Sequence, residues 1–128
     1  MASKGRPYRT FVIEGHEVLV GRADEDNDTL TFHVARPADL WLHVGGGTPG
    51  SHVVVRDTGH EIPRPVLERA AALAAWYSKA RNARSVEVHY CRVSQVSKPR
   101  GAPAGLVQLA RFQKIKVQPA PLPGTADT

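Results

Sequence analysis

What most constrains this chain is one amphipathic helix pattern set among runs of β type. In residues 64–82, RPVLERAAALAAWYSKARN, the side chains Val66, Ala70, Leu73, Tyr77 and Ala80 recur at helical spacing and form an apolar stripe. Pro63 and Pro65 suit a helix entry and Asn82 an exit. Lys79, Arg81 and Arg84 crowd the C-terminal end, where cations complement the helix dipole. Elsewhere the apolar period is two. YRTFVIEGHEVLVGR reads as a hairpin around Gly15-His16, and DLWLHV and SHVVVR as strands joined by a Gly-rich connection. VEVHYCRVSQV reads as a long strand, and LVQLARFQKIKVQP as one bent strand or two short ones. ADEDND, residues 23–28, reads as an acidic turn, with Asn27 or Asp28 capping a short helix over TLTFHVA that Pro37 ends. A β-rich order with one long helix in its middle argues the α+β class: a mostly antiparallel sheet with one long central helix packed on it.

The 128 residues suit one domain with a real core, and 41% hydrophobic against 23% charged residues is a globular balance. A domain over residues 8–119 is expected, between a flexible N-terminus at 1–7 and a disordered Pro-rich tail at 120–128. A single cysteine, Cys91, excludes an internal disulfide framework. The opening MASKGRPYRT carries no signal-type apolar run, and no stretch nears the roughly 20 apolar residues of a membrane span. The expectation is a cytoplasmic protein without a membrane partner.

Charge is one-sided. Residues 1–63 hold six Lys/Arg against nine Asp/Glu, and residues 64–128 eleven against three. Between Glu87 and Asp127 there is no acidic residue, while Arg92, Lys98, Arg100, Arg111, Lys114 and Lys116 all fall there. A clustered basic surface is the footprint of a polyanion binder, though an ordinary solvated basic face has the same composition.

In DLWLHV the alternation puts Leu40, Leu42 and Val44 on one face and Asp39, Trp41 and His43 on the other. Two readings of Trp41 stand side by side: a ring that stacks an unpaired nucleobase, or the lid of a second, smaller core. GGGTPG reads either as an anion-binding nest or as a plain connection, and is neither a Walker loop nor a nucleophile elbow. His43 and His52 with Asp39 invite an acid/base or metal reading, but the spacing matches no closed zinc motif, so no metal and no cofactor is expected.

An ordered set of motifs carries a resemblance. It comprises Gly21, Arg22, Asn27, Asp28, Leu30 and Thr31; then Asp39, Trp41 and His43; then PGSHVV at 49–54; then Ala70, Ala71, Ala74, Ala75, Tyr77, Ser78, Lys79, Ala80 and Arg81. Val88 and Tyr90 follow, and then Val96, Lys98, Pro99, Gly101 and Ala102. From about Tyr8 to Pro119 the chain resembles the NFACT RNA-binding domain. That domain occurs as the C-terminal part of ribosome-quality-control factors of the RqcH/NEMF type and as a stand-alone bacterial protein. The all-glycine run at 45–47 and Ala104 depart from the usual pattern. The resemblance implies an α+β, non-catalytic module acting on tRNA or rRNA in translation, ribosome quality control or RNA modification, with RNA and the ribosome as partners and no small-molecule substrate. The N-terminal NFACT domain, helix-hairpin-helix repeats and coiled coil of the large factors are not in these residues.

The residues expected at the RNA are Lys79, Arg81, Lys98, Arg100, Lys114 and Lys116 on phosphates, Trp41, His43, Ser51 and His52 shaping or reading an unpaired segment, and Arg22 and Gly50 beside them. Two alternatives belong to other classes. One is a small RNA-acting enzyme using His43, His52 and Asp39; the other is a module docking on ribosomal proteins through a sheet edge.

Overall fold

A computed structural model describes residues 6–122. The expectations for residues 1–5 and 123–128 lie outside the described residues. The core is a six-stranded antiparallel sheet in the order β1-β2-β4-β3-β5-β8, built from β1 (Tyr8–Ile13), β2 (His16–Gly21), β3 (Leu40–Val44), β4 (Val53–Val55), β5 (Val86–Arg92) and β8 (Gln113–Val117). A separate two-stranded ribbon pairs β6 (Val96–Ser97) with β7 (Gln108–Leu109). The first hairpin turns at Glu14 and Gly15, both with positive φ, one residue earlier than the pattern suggests.

The antiparallel sheet is as expected, but the one long helix is not: the described residues hold two short α-helices, α1 (Asp24–Thr29) and α2 (Arg64–Trp76). The expected acidic turn is the first turn of α1, where Asp24, Glu25 and Asp26 face the positive end of the helix dipole. The chain then widens into a π turn over Leu30–Val34. Helix α2 stops six residues short of Asn82 because residues 77–79 pair with the chain at 49–51 instead. The Ser51 N–H bonds the Tyr77 carbonyl (2.9 Å), and the Lys79 N–H bonds the Pro49 carbonyl (3.0 Å). The Ser78 hydroxyl donates to the Ala75 carbonyl at 2.7 Å and closes the helix end.

Each sheet face has its own core. On one face Val18, Val20, Leu42, Val44, Val53, Val55 and Val88 meet Val66, Ala70, Leu73 and Ala74 of α2, where the alanines allow close approach. On the other, Leu19, Trp41, Val54 and Cys91 are covered by Leu30 of the π turn and by Val93 and Val96 at the ribbon. The expected tail begins on the helix: the Ala120 N–H bonds the Ala72 carbonyl (3.2 Å) and Leu122 packs on the first core. No helix of the described residues is long and apolar enough to cross a membrane.

Candidate nucleic-acid interface

Several of the motif residues form an internal hydrogen-bond chain. His52 is buried at the entry to β4, and its Nε2 lies 3.1 Å from the Gly105 carbonyl oxygen. A carbonyl only accepts, so Nε2 carries the proton and Nδ1 accepts from the Thr31 hydroxyl at 2.8 Å. The Thr31 oxygen in turn accepts the Trp41 indole N–H at 3.3 Å. On the far side the Gly105 N–H donates to Asp28 Oδ1 (3.1 Å), and Asp28 Oδ2 pairs with the Lys98 ammonium (2.9 Å). Lys98 also donates to the carbonyls of Pro103 and Leu106. Asn27 completes the frame by accepting the His52 N–H at 3.0 Å. Its carboxamide occupies the space a Cβ on Gly21 would need, 2.0 Å from the Asn27 oxygen, which explains the glycine.

These contacts correct three expectations. Trp41 is 1% exposed and closes the second core, so it has no face for a base. His52 is an internal strut; burial above all, then the charge of His43, pushes its pKa down to about 4. Lys98 is committed to strapping the 98–105 loop onto α1 and is not a free phosphate ligand.

Of the three residues of the enzyme alternative, His43 and His52 meet, while Asp39 is taken up by other partners. The Asp39 carboxylate accepts the backbone N–H groups of Arg36 (2.9 Å) and Asp57 (2.8 Å) and pairs with Arg56 at 3.0 Å, so it is engaged away from both histidines. His43 is half-buried, stacked on Trp41 with centroids 5.9 Å apart and edge-on to His52 at 5.4 Å; burial lowers its pKa. Burial also raises the Cys91 thiol to about 11, which keeps it protonated. Among the described residues no group of three His, Cys, Asp or Glu is placed to hold a metal ion.

Five of the expected residues do meet. Arg22, Gly50, Ser51, Lys79 and Arg81 line one open groove of about 370 Å³, together with Arg9 and Asp24. The same pairing that ends α2 makes the floor of this groove. Gly50 bridges Ser78 so closely that a Cβ there would lie 2.7 Å from Ser78 Cβ, so only glycine fits. Arg22 and Lys79 are exposed at the rim. The Arg81 guanidinium lies 4.5 Å from the Trp76 ring centroid and its Nε donates to the Trp76 carbonyl at 2.7 Å, which aims the head. Arg9 sits 5.0 Å over the Tyr77 ring. Sequence reasoning missed Arg9, because only the pairing of β1 at the sheet edge and the exit of α2 bring it beside Lys79.

The remaining cations lie elsewhere. Lys114 and Lys116 pair in register with His89 and Glu87, and Lys114 Nζ is 3.9 Å from a Glu87 oxygen. Arg100 is exposed on the strapped loop and does not line the groove. In the all-glycine connection Gly46 and Gly47 adopt positive φ, while Gly45 abuts the His89 ring.

The family described as the NFACT protein RNA binding domain matches residues 6–110. The chain belongs to this family. The Rqc2 homolog RqcH of Bacillus subtilis (strain 168) is 39% identical over 105 residues, covering 82% of this chain and 18% of that protein. The ribosome quality control complex subunit NEMF homolog of Drosophila melanogaster is 34% identical over 93 residues, 72% of this chain and 9% of that protein. The chain thus spans a small part of these relatives' length. Among solved structures, the C-terminal part of the fibronectin/fibrinogen-binding protein from Streptococcus suis superposes with a TM-score of 0.84 at 34% identity, covering 92% of this chain and 47% of that one. In this member of the NFACT RNA-binding family, Asn27, Asp28, Thr31, Trp41, His52 and Lys98, all residues of the motifs, are engaged with one another inside the fold.

Proposed function

We propose that this chain is a non-catalytic module that binds structured RNA, tRNA or rRNA, in the cytoplasm, and serves ribosome quality control as its relatives' names suggest. The supporting observation is the groove: four cations from three separate segments converge over a backbone floor held by hydrogen bonds between residues 49–51 and 77–79. Long cationic heads on a rigid floor suit phosphates, which position an RNA without reading its bases. Ser51 and the exposed Lys79 add a hydroxyl donor and a point charge at the same rim. Family membership supports the choice of RNA over other polyanions.

The test is a salt titration of binding to bulk tRNA and to an rRNA fragment. The exposed pair Arg22→Gln/Lys79→Gln should reduce the slope of log affinity against log salt by roughly one and a half to two units while leaving thermal stability unchanged. An unchanged slope in a folded double variant would remove the groove from the interface.

A further inference from the structure

At the opposite end of α2 from the groove lies a larger cleft, about 960 Å³, between the helix entry and strands β5 and β8. It is lined by three arginines, Arg64, Arg92 and Arg111, and one acidic residue, Glu61, and Arg64 also pairs with Glu68 at 3.5 Å. Arg92 is held in place by a bond from its Nη1 to the Ala38 carbonyl at 2.9 Å. The wall includes Phe112, a large apolar residue that is 42% exposed. Its ring is packed on one side by His89, with centroids 4.5 Å apart and planes 31° from parallel. Tyr90 and Gln113, cross-strand partners, supply a second ring and an amide inside the cleft.

An exposed aromatic residue packed on one side by His89 and lining a cleft with three arginines is an arrangement that can stack an unpaired base while its phosphates are neutralised. An apolar floor of Leu40, Ile62, Leu67 and Tyr90 ringed by arginines suits a protein or a nucleic acid, and the choice of RNA rests on the RNA-binding reading above. We propose that the Phe112 cleft binds an unpaired nucleotide of an RNA chain, with Phe112 stacking the base and Arg111 and Arg92 facing its phosphates. This takes over the stacking role expected of Trp41, and it deepens the RNA-binding reading on which it rests. Helix α2 has thirteen residues and so separates the two sites by about 20 Å, which lets one RNA engage both.

The experiment is fluorescence anisotropy with a labelled mixed-sequence hairpin RNA and with a blunt duplex of the same stem. Phe112→Ala should weaken hairpin binding by about tenfold, Phe112→Trp should restore most of it, and duplex binding should stay within about twofold. Arg111→Gln, at an exposed position, gives a second readout and should weaken the hairpin by a smaller factor. The groove variant Arg22→Gln/Lys79→Gln should weaken both RNAs. Loss of binding in the groove variant with normal hairpin affinity in Phe112→Ala and Arg111→Gln would overturn the cleft and leave the groove standing. Wild-type protein that binds neither RNA would overturn both. AMP at millimolar concentration should leave the hairpin bound; its displacement of the hairpin, lost in Phe112→Ala, would reassign the cleft to free nucleotides and overturn the chain-bound reading.

Discussion

Acid should loosen this protein through one histidine. Neutral His52 donates from Nε2 to the Gly105 carbonyl and accepts at Nδ1 from Thr31. Protonation turns Nδ1 into a donor, so the Thr31 hydroxyl loses its acceptor and a charge is left beside Trp41 in a nearly water-free site. The folded-state pKa is lowered from 6.5 to about 4. The unfolded chain therefore binds the extra proton first, and stability falls as pH drops from 6.5 toward 4. One such group contributes at most about 1.4 kcal/mol per pH unit in that window, which amounts to a loss of about 2 kcal/mol by pH 5 and about 3 kcal/mol by pH 4. His43, with its pKa also lowered, adds in the same direction. The assay is urea denaturation of the wild type and His52→Gln between about pH 7.5 and 4, values spanning that window. His52→Gln should be less stable at neutral pH, since a glutamine cannot fill both bonds in the imidazole geometry, and should show a clearly flatter pH dependence. A wild-type curve that is level across the window, or a variant with the same slope as wild type, would refute the account of His52 as a buried neutral strut.

Two further outcomes follow from the same chain of contacts. Trp41→Ala should cost about 3–5 kcal/mol in denaturation, with RNA affinity unchanged in the fraction that remains folded; weakened affinity at wild-type stability would return Trp41 to the interface. Lys98→Ala should cost about 1–2 kcal/mol, because two carbonyls and the Asp28 carboxylate lose their partner. Its salt dependence of RNA binding should match the wild type, and a slope reduced by one unit would make Lys98 a phosphate ligand.

Much of the architecture was legible because it is written in short periods. Alternation in YRTFVI, HEVLVG and LWLHV marked strands and their two faces, and the register bears it out: Leu40, Leu42 and Val44 meet α2 while Trp41 and His43 turn away. The helical stripe from Val66 to Leu73 is likewise local. The basic half of the chain was visible in composition, while Arg22, Gly50, Ser51, Lys79 and Arg81 were reached through the motifs that carry the resemblance. The acidic run at 23–28 was misread because first-turn carboxylates and a polar turn have the same composition.

What composition and period cannot carry is coverage. Whether the ring of Trp41 meets water depends on Leu30, Val93 and Val96 arriving from distant segments, and burial is a sum over such arrivals. Whether α2 continues past Trp76 depends on residues 49–51 taking up the backbone groups that another helical turn would have used, a competition between local and long-range hydrogen bonds that no window of 64–82 contains. Whether a lysine is a ligand or a strap depends on where carbonyls lie: Lys79 and Lys98 look alike in sequence, yet one stands exposed at the groove and the other is spent inside the loop. The sequence alone determined most of the strands, their faces and the sign of the net charge, though the run VEVHYCRVSQV is broken at Val93–Gln95 into two strands. Only the tertiary structure decided which polar and aromatic side chains on those faces remain available to a partner, because availability is set by what the rest of the chain lays over them.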